Sequence, residues 1–194
     1  MYYTHRNLAL DLTVDTYPRN FAAQQARRWL ETQPVYLDTE TTGLNDQAEI
    51  VEISILDHAG EVLLDTLVRP RRTIPLDAVR IHGIRNEMVA TAPTWLQVWP
   101  QVEAILNGRT VGIFNADFDL RMFRQTHRIN GLPWRAPDMQ PFCIMRLYAD
   151  FRGTSRFTSL EDAGRQLGIA LPNAHRARAD TALARAVLLR MAGQ

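Results

Sequence analysis

Three strand-forming runs in succession, followed by a regular exchange of strand with helix, leave this chain few architectures to choose from. Residues 34–40 read as a buried strand, and residues 49–56 and 61–68 as a hairpin turning at Ala59 and Gly60. A proline-punctuated stretch, 69–93, leads to a helix over 94–106 that stops near Asn107 and Gly108, and then to a short apolar strand, 109–114. A helix over 117–130 closed by Gly131, a candidate fifth strand at 141–145, and helices over 159–167 and 177–191 complete the pattern. Hairpin strands first and strand–helix alternation afterwards predict an α/β fold, a mixed sheet flanked by helices on both faces. Residues 1–18 show little periodicity, whereas the alanine, glutamine and arginine of 19–31 read as a helix. Residues 1–33 are therefore taken as an N-terminal extension and 34–194 as the main domain.

A chain of 194 residues can bury a core without disulfides or structural zinc. Cys143 is the one cysteine, and no Cys/His cluster has zinc-ligand spacing, which fits a reducing, cytoplasmic setting. The N-terminus lacks the apolar stretch of a secretory signal and no apolar run approaches bilayer-spanning length, so no membrane partner is expected. The net charge of +1 gives little bulk attraction for a polyanion, and charge must act locally. All 22 basic side chains are arginine. That suits bidentate phosphate contacts, although a genome-wide coding bias is the preferred reading.

Chemistry concentrates in three separated patches: Asp38 to Leu44 (DTETTGL), Asn115 to Asp119 (NADFD) and His175 to Asp180 (HRARAD). On a strand, side chains two apart share a face, so Asp38 and Glu40 project together while Thr39 points away. Two adjacent carboxylates repel, and hard divalent cations that prefer oxygen ligands relieve the repulsion. Thr41, Thr42 and Gly43 follow as a turn whose amides can approach a nucleotide closely. Asp117 and Asp119, two apart on a helix, diverge by about 200° and cannot both face one centre.

The three patches, in this order, resemble the DEDDh family of 3'-to-5' exonucleases, within the ribonuclease H-like superfamily. The resemblance runs from about Pro34 to the C-terminus and makes 34–194 an exonuclease domain. It implies a ribonuclease H-like fold with a five-stranded mixed sheet. The family pattern Asn-Ala-x-Phe-Asp selects Asp119 over Asp117, which is left as a helix-start acid complementing the dipole. Phe114 stands where a histidine often precedes the Asn, which leaves open what Asn115 contacts at the base. The resemblance also implies that Asp38, Glu40, Asp119 and Asp180 hold two divalent cations, Mg²⁺ or Mn²⁺, and that His175 acts as the general base, a role that an ordinary imidazole pKa near 6.5 suits.

Around these residues Leu44 and Phe118 are candidates for contacting the terminal nucleotide. His82, in an Ile-His-Gly-Ile segment that the family shares, either joins the substrate-binding set or is a packed core histidine. Trp95 and Trp99, four apart on one helix, read as core rather than as base-stacking platforms. Arg176, with Arg121, Arg124, Arg128 and Arg178, is a candidate phosphate-contacting rim. The function expected is metal-dependent exonucleolytic cleavage from the 3' end of single-stranded nucleic acid, DNA favoured over RNA. A proofreading subunit of a replicative polymerase is not favoured, because that relative carries a C-terminal extension and here the extra segment is N-terminal. A ribonuclease T-like RNA-trimming enzyme and a catalytically inactive nucleic-acid-binding module are compatible with the same residues. The sequence does not specify the oligomeric state.

Overall fold

The computed structural model describes residues 16–170 and 176–194, with side chains from residue 19 onward. Helix α1 (Thr16–Glu31) precedes strands β1 (Val35–Thr41), β2 (Ile50–Leu56) and β3 (Val62–Leu67). Two short helices follow, α2 (Leu76–His82) and α3 (Asn86–Val89), then α4 (Trp95–Leu106), β4 (Arg109–Ile113), α5 (Ala116–Ile129) and β5 (Met139–Cys143). Helices α6 (Ile144–Phe151), α7 (Leu160–Gln166) and α8 (Ala177–Ala192) close the chain. The sheet has the order β3-β2-β1-β4-β5, with β1–β2 and β2–β3 antiparallel and β1–β4 and β4–β5 parallel. This is the expected five-stranded mixed sheet.

Alternation along β1 divides the interior in two. Val35 and Leu37 face a layer in which α4 and α5 supply Trp95, Val98, Val102, Leu106, Met122 and Phe123. Tyr36 faces the opposite layer, where Ala22, Ala26 and Leu30 of α1 pack with α6 and with Ala184, Val187 and Leu188 of α8. Each large aliphatic side chain buried this way contributes about 1.5–3 kcal/mol, so the two layers hold the sheet from both sides. The described part of the N-terminal extension thus belongs to the same hydrophobic layer as the last helix. Gly112 of β4 is fixed by crowding: a Cβ there would lie 2.8 Å from the Phe142 ring and 3.1 Å from Tyr36.

Two differences from the sequence reading have simple causes. The candidate strand 141–145 ends at Cys143, and α6 begins at once. Its apolar Ile144, Leu147, Tyr148 and Phe151 recur at helical spacing and are buried against α1 and α8. The proline-punctuated stretch 69–93, to which no element was assigned, holds α2 and α3, and Ala78, Ile84 and Val89 there cover Val51. Trp95 and Trp99 are core residues as expected, packed edge to face or tilted against Phe123 and His127. Among the described residues no helix is long and apolar enough to cross a membrane.

Candidate active site

The site forms where β1 outruns its parallel neighbour. Pairing between β1 and β4 ends at Leu37 and Ile113, so from Asp38 onward β1 keeps a strand partner only in β2. Asp38 and Glu40 share the parity of Tyr36 and project into the α1/α6/α8 layer. There Asp180, in the first turn of α8, meets them, and one carboxylate oxygen from each of the three lies within 4.8 Å of the others. Thr39 points the other way, and its hydroxyl donates to Asp119 Oδ1 at 2.7 Å. Asp119 therefore enters the gap from the α4/α5 layer, at the start of α5, and is 3% exposed. It stands outside the group of three, yet among neighbouring charges it does most, after burial, to raise the Asp38 pKa.

The electrostatics are those of a site short of positive charge. Burial, followed by Asp119, Glu40, Asp180 and Glu52, holds the Asp38 carboxyl well above its ordinary value. Burial, then Asp180, Glu52 and Asp119, pushes Glu40 up to about 8, with Arg176 acting in the opposite direction. Burial lifts Asp119 to about 7 against the hydrogen bond from Thr39 and main-chain hydrogen bonds at Asp119 and Thr39, which favour the charged form. Carboxylates forced together at this spacing fit divalent cations, which need oxygen ligands and supply the missing charge.

Glu52 is the residue that sequence reasoning missed. It lies opposite Glu40 in the β1–β2 register and is 2% exposed. Arg176 Nε donates to both its oxygens at 3.0 and 3.1 Å, and the Ala177 amide donates to Oε2 at 2.9 Å. That arrangement seats the N-terminus of α8, and with it Asp180, against the sheet. The Arg176 guanidinium, expected on a phosphate rim, is engaged with this carboxylate. A lone acid inside the otherwise buried run Ile-Val-Glu-Ile-Ser-Ile-Leu was the available signal, since such a charge requires a partner. His175, immediately before Arg176, lies outside the described residues.

Beyond Glu40 the strand register shifts, so that Thr41 pairs with Ile50. Bulges of this kind re-aim side chains next to functional sites. Thr41 then donates its hydroxyl to the Gly43 carbonyl at 2.7 Å, and Thr42 Oγ1 accepts the Glu49 amide at 2.9 Å. Gly43 adopts φ +149°, which side-chain-bearing residues rarely take. The turn forms the floor of a cavity of about 460 Å³ that reaches Glu40; Leu44 and Phe118 flank one side, Ala78, Ile81 and His82 of α2 the other. His82 is buried: the Ile84 amide donates to Nδ1 at 3.0 Å, leaving Nε2 to donate to the Thr41 carbonyl at 3.2 Å. Its ring thus ties α2 to the end of β1.

Other expected residues lie apart from this group. Asn115 is exposed at the start of α5 and does not line the cavity. Asp117 points to solvent and pairs with Arg146, away from Asp119. Arg121 and Arg128 donate to the Leu44 and Asp46 carbonyls, and Arg124 lies over the Trp134 ring.

Comparison with known proteins gives the family and the fold. The exonuclease family model RNase T matches residues 35–188. An uncharacterized exonuclease, CP81, of Escherichia phage 186 is 41% identical over 169 residues, covering 81% of this chain and 87% of its own. A DNA polymerase III subunit epsilon-like protein of Rhodobacter capsulatus is 34% identical over 81% of this chain, but the match spans only 23% of that protein. Among solved structures, Exonuclease X in complex with 5' overhanging duplex DNA shares 29% identity at a TM-score of 0.63, covering 82% of this chain and 90% of its own. The nuclease domain of 3'hExo, a DEDDh family member bound to rAMP, shares the fold at a TM-score of 0.69 and 19% identity, over 81% and 90% of the two chains. This chain belongs to the RNase T exonuclease family. Its fold is ribonuclease H-like and it is a nuclease, a hydrolase acting on nucleic acid.

Proposed function

We propose that the protein removes nucleotides from the 3' end of DNA, acting on single strands, with Asp38, Glu40, Asp119 and Asp180 holding two divalent cations, Mg²⁺ or Mn²⁺. The observation that carries this reading is the convergence of the Asp38, Glu40 and Asp180 carboxylates within 4.8 Å, next to a nucleotide-sized cavity whose lining includes no arginine. A phosphodiester brought there meets acids rather than guanidinium groups, so cations must offset its charge. Bound at this position, they would supply an acidified water and stabilise the charge that develops on phosphorus and the leaving oxygen.

The chain's own residues bind and orient around that chemistry. Leu44 and Phe118 supply the apolar wall on one side of the terminal base, facing α2, and Thr41, Thr42 and Gly43 present main-chain groups to the sugar. Asn115, at the mouth of α5, contacts the nucleotide from outside the cavity, and His82 holds the floor of that cavity. Thr39 orients Asp119 by donating its hydroxyl to one of the two carboxylate oxygens. His175 accepts the proton of the attacking water, as an imidazole can near neutral pH. Arg176, held by Glu52, fixes the first turn of α8 and with it Asp180. The choice of DNA is supported by the similarity to Exonuclease X, which was captured on duplex DNA.

The test uses oligonucleotides labelled at the 3' or the 5' end, with Mg²⁺, with Mn²⁺ or with chelator. Mononucleotide release from the 3' end only when metal is present is the expected result. Release from the 5' end would overturn the polarity, and binding without degradation would favour a non-catalytic module. A matched RNA strand cleaved faster than DNA would point to trimming of RNA. Similarity to the epsilon-like protein favours a second reading, proofreading beside a polymerase; preferential removal of mismatched 3' ends in a polymerase's presence would support it.

A further inference from the structure

Helix α5 presents Arg121, Gln125 and Arg128 at i, i+4 and i+7, one stripe of its surface. All three donate to main-chain carbonyls of the loop that joins β1 to β2. Arg121 Nη1 reaches the Leu44 carbonyl at 3.3 Å, Gln125 Nε2 reaches those of Asn45 and Ala48 at 2.9 and 2.6 Å, and Arg128 reaches that of Asp46. Surface loops usually leave such carbonyls to water. Here a single helix holds the loop carbonyl by carbonyl, and the same helix begins with Phe118 and Asp119.

Arg121 differs from the other two rungs. Besides the Leu44 carbonyl, its guanidinium carbon lies 5.3 Å from the centroid of the Phe118 ring. It thus touches both apolar walls on one side of the cavity while not lining the cavity itself. Leu44 is 75% exposed, so core packing does not fix it, and its position depends on how its main chain is held. A planar guanidinium can offer an edge N–H to a carbonyl and a face to an aromatic ring simultaneously, which an ammonium group cannot do.

We infer that Arg121 is a positioning residue for the 3'-terminal nucleotide, holding Leu44 beside Phe118 as the apolar wall, opposite α2, against which the terminal base packs. The inference rests on the proposed function above, deepening its account of the substrate pocket. Stacking of a base on a side-chain face weakens steeply when the surfaces separate by even a fraction of an ångström. Loss of the guanidinium lets Leu44 drift from Phe118 without moving Asp38, Glu40 or Asp180, which stand on β1 and α8.

The experiment compares the full chain with Arg121→Ala, Arg121→Lys and Arg165→Ala, the last altering an exposed guanidinium paired with Asp162 on α7. It reads kcat and KM on a single-stranded oligonucleotide, direct binding of dAMP, Mn²⁺ affinity and the melting temperature. For Arg121→Ala, KM and the dAMP dissociation constant should each rise about 10-fold, within the range measured when one stacked base loses its side-chain platform. Its kcat and Mn²⁺ affinity should remain near the starting values. Arg121→Lys should fall between, and Arg165→Ala should match the unsubstituted protein throughout. Unchanged KM and dAMP binding in Arg121→Ala would overturn the inference, as would a fall in kcat alone or an unsubstituted protein that binds no dAMP. Should the protein bind dAMP in an Arg121-dependent way yet cleave nothing, the proposed activity fails and the positioning role stands.

Discussion

Glu40 and Glu52 face each other across β1 and β2, two glutamates on one side of one sheet, and the protein treats them in opposite ways. Glu52 receives the Arg176 guanidinium and a helix-terminal amide. Glu40 receives Asp38 and Asp180 as neighbours, and its carboxyl is pushed up to about 8. A buried acid that the chain neutralises itself fastens two elements together. An acid that the chain leaves half-buried among other acids is stable only as far as a proton or an external cation compensates it.

The sharpest way to break this comparison is to remove one of the proposed cation-holding carboxylates. Asp38→Asn should lower kcat by about 10³-fold or more, since it removes cation-based stabilisation worth several kcal/mol. The metal-free protein should nevertheless melt higher, by about 2–4 °C for each kcal/mol of repulsion relieved. A lower melting temperature for metal-free Asp38→Asn would show that the carboxylate is structural after all. Asp119→Ala should likewise abolish most activity, measured on the same labelled strand, although its oxygen reaches the site from the other layer.

Glu52→Gln should act with the opposite sign. Unfolding in urea should show a loss of about 2 kcal/mol, below the usual cost of breaking a buried ion pair because the Arg176 side chain is 46% exposed and partly screened. If Glu52→Gln and Glu40→Gln shift metal-free stability in the same direction, the contrast between the two glutamates is wrong.

The pH dependence sharpens the comparison further. Glu40 and Asp119, at about 8 and about 7 in the folded protein, hold protons more tightly than their ordinary carboxyls at 4.5 and 3.8. Stability from these groups is therefore complete below about pH 4 and lost as pH rises through 7 and 8. Melting in chelator from pH 5 to 9 should fall steadily, and the rise produced by Mg²⁺ should grow over the same window. A metal-induced rise that is constant with pH would separate cation binding from these carboxyls. The smallest effect belongs to Asp117→Ala, which removes an exposed pair with Arg146: stability should change by less than about 0.5 kcal/mol and turnover hardly at all.

Much of this was legible in the sequence because strand parity and helix pitch are local rules. Period two placed Asp38 and Glu40 on one face, and the 200° divergence separated Asp119 from Asp117; both hold in the fold. Asp119 and Thr39 were harder. Their hydrogen bond spans 80 residues and depends on where β4 stops, which no local pattern encodes. Glu52 was unreadable as a clamp for the same reason, its partner lying 124 residues away. Helix α6 was legible in principle, through Ile144, Leu147, Tyr148 and Phe151, but the preceding strand residues obscured its start. The arginines of α5 show the limit most clearly: their spacing announces a stripe, whereas the carbonyls they bind belong to a turn fixed by Thr41, Thr42 and Glu49.

The overhang of β1 past β4 has one more consequence. Asp119 and Asp180 ride on separate helical slabs that press on opposite sides of the sheet, and the β1 overhang lies between them. With Asp119 and Asp180 holding the cations as proposed, a slip of about 1 Å between those slabs, too small to melt the protein, would reach the reacting atoms undiminished and cost about 100-fold in rate. Turnover in this molecule is therefore a gauge of how its two halves are clamped, and substitutions deep in either slab should register in catalysis before they register in a melting curve.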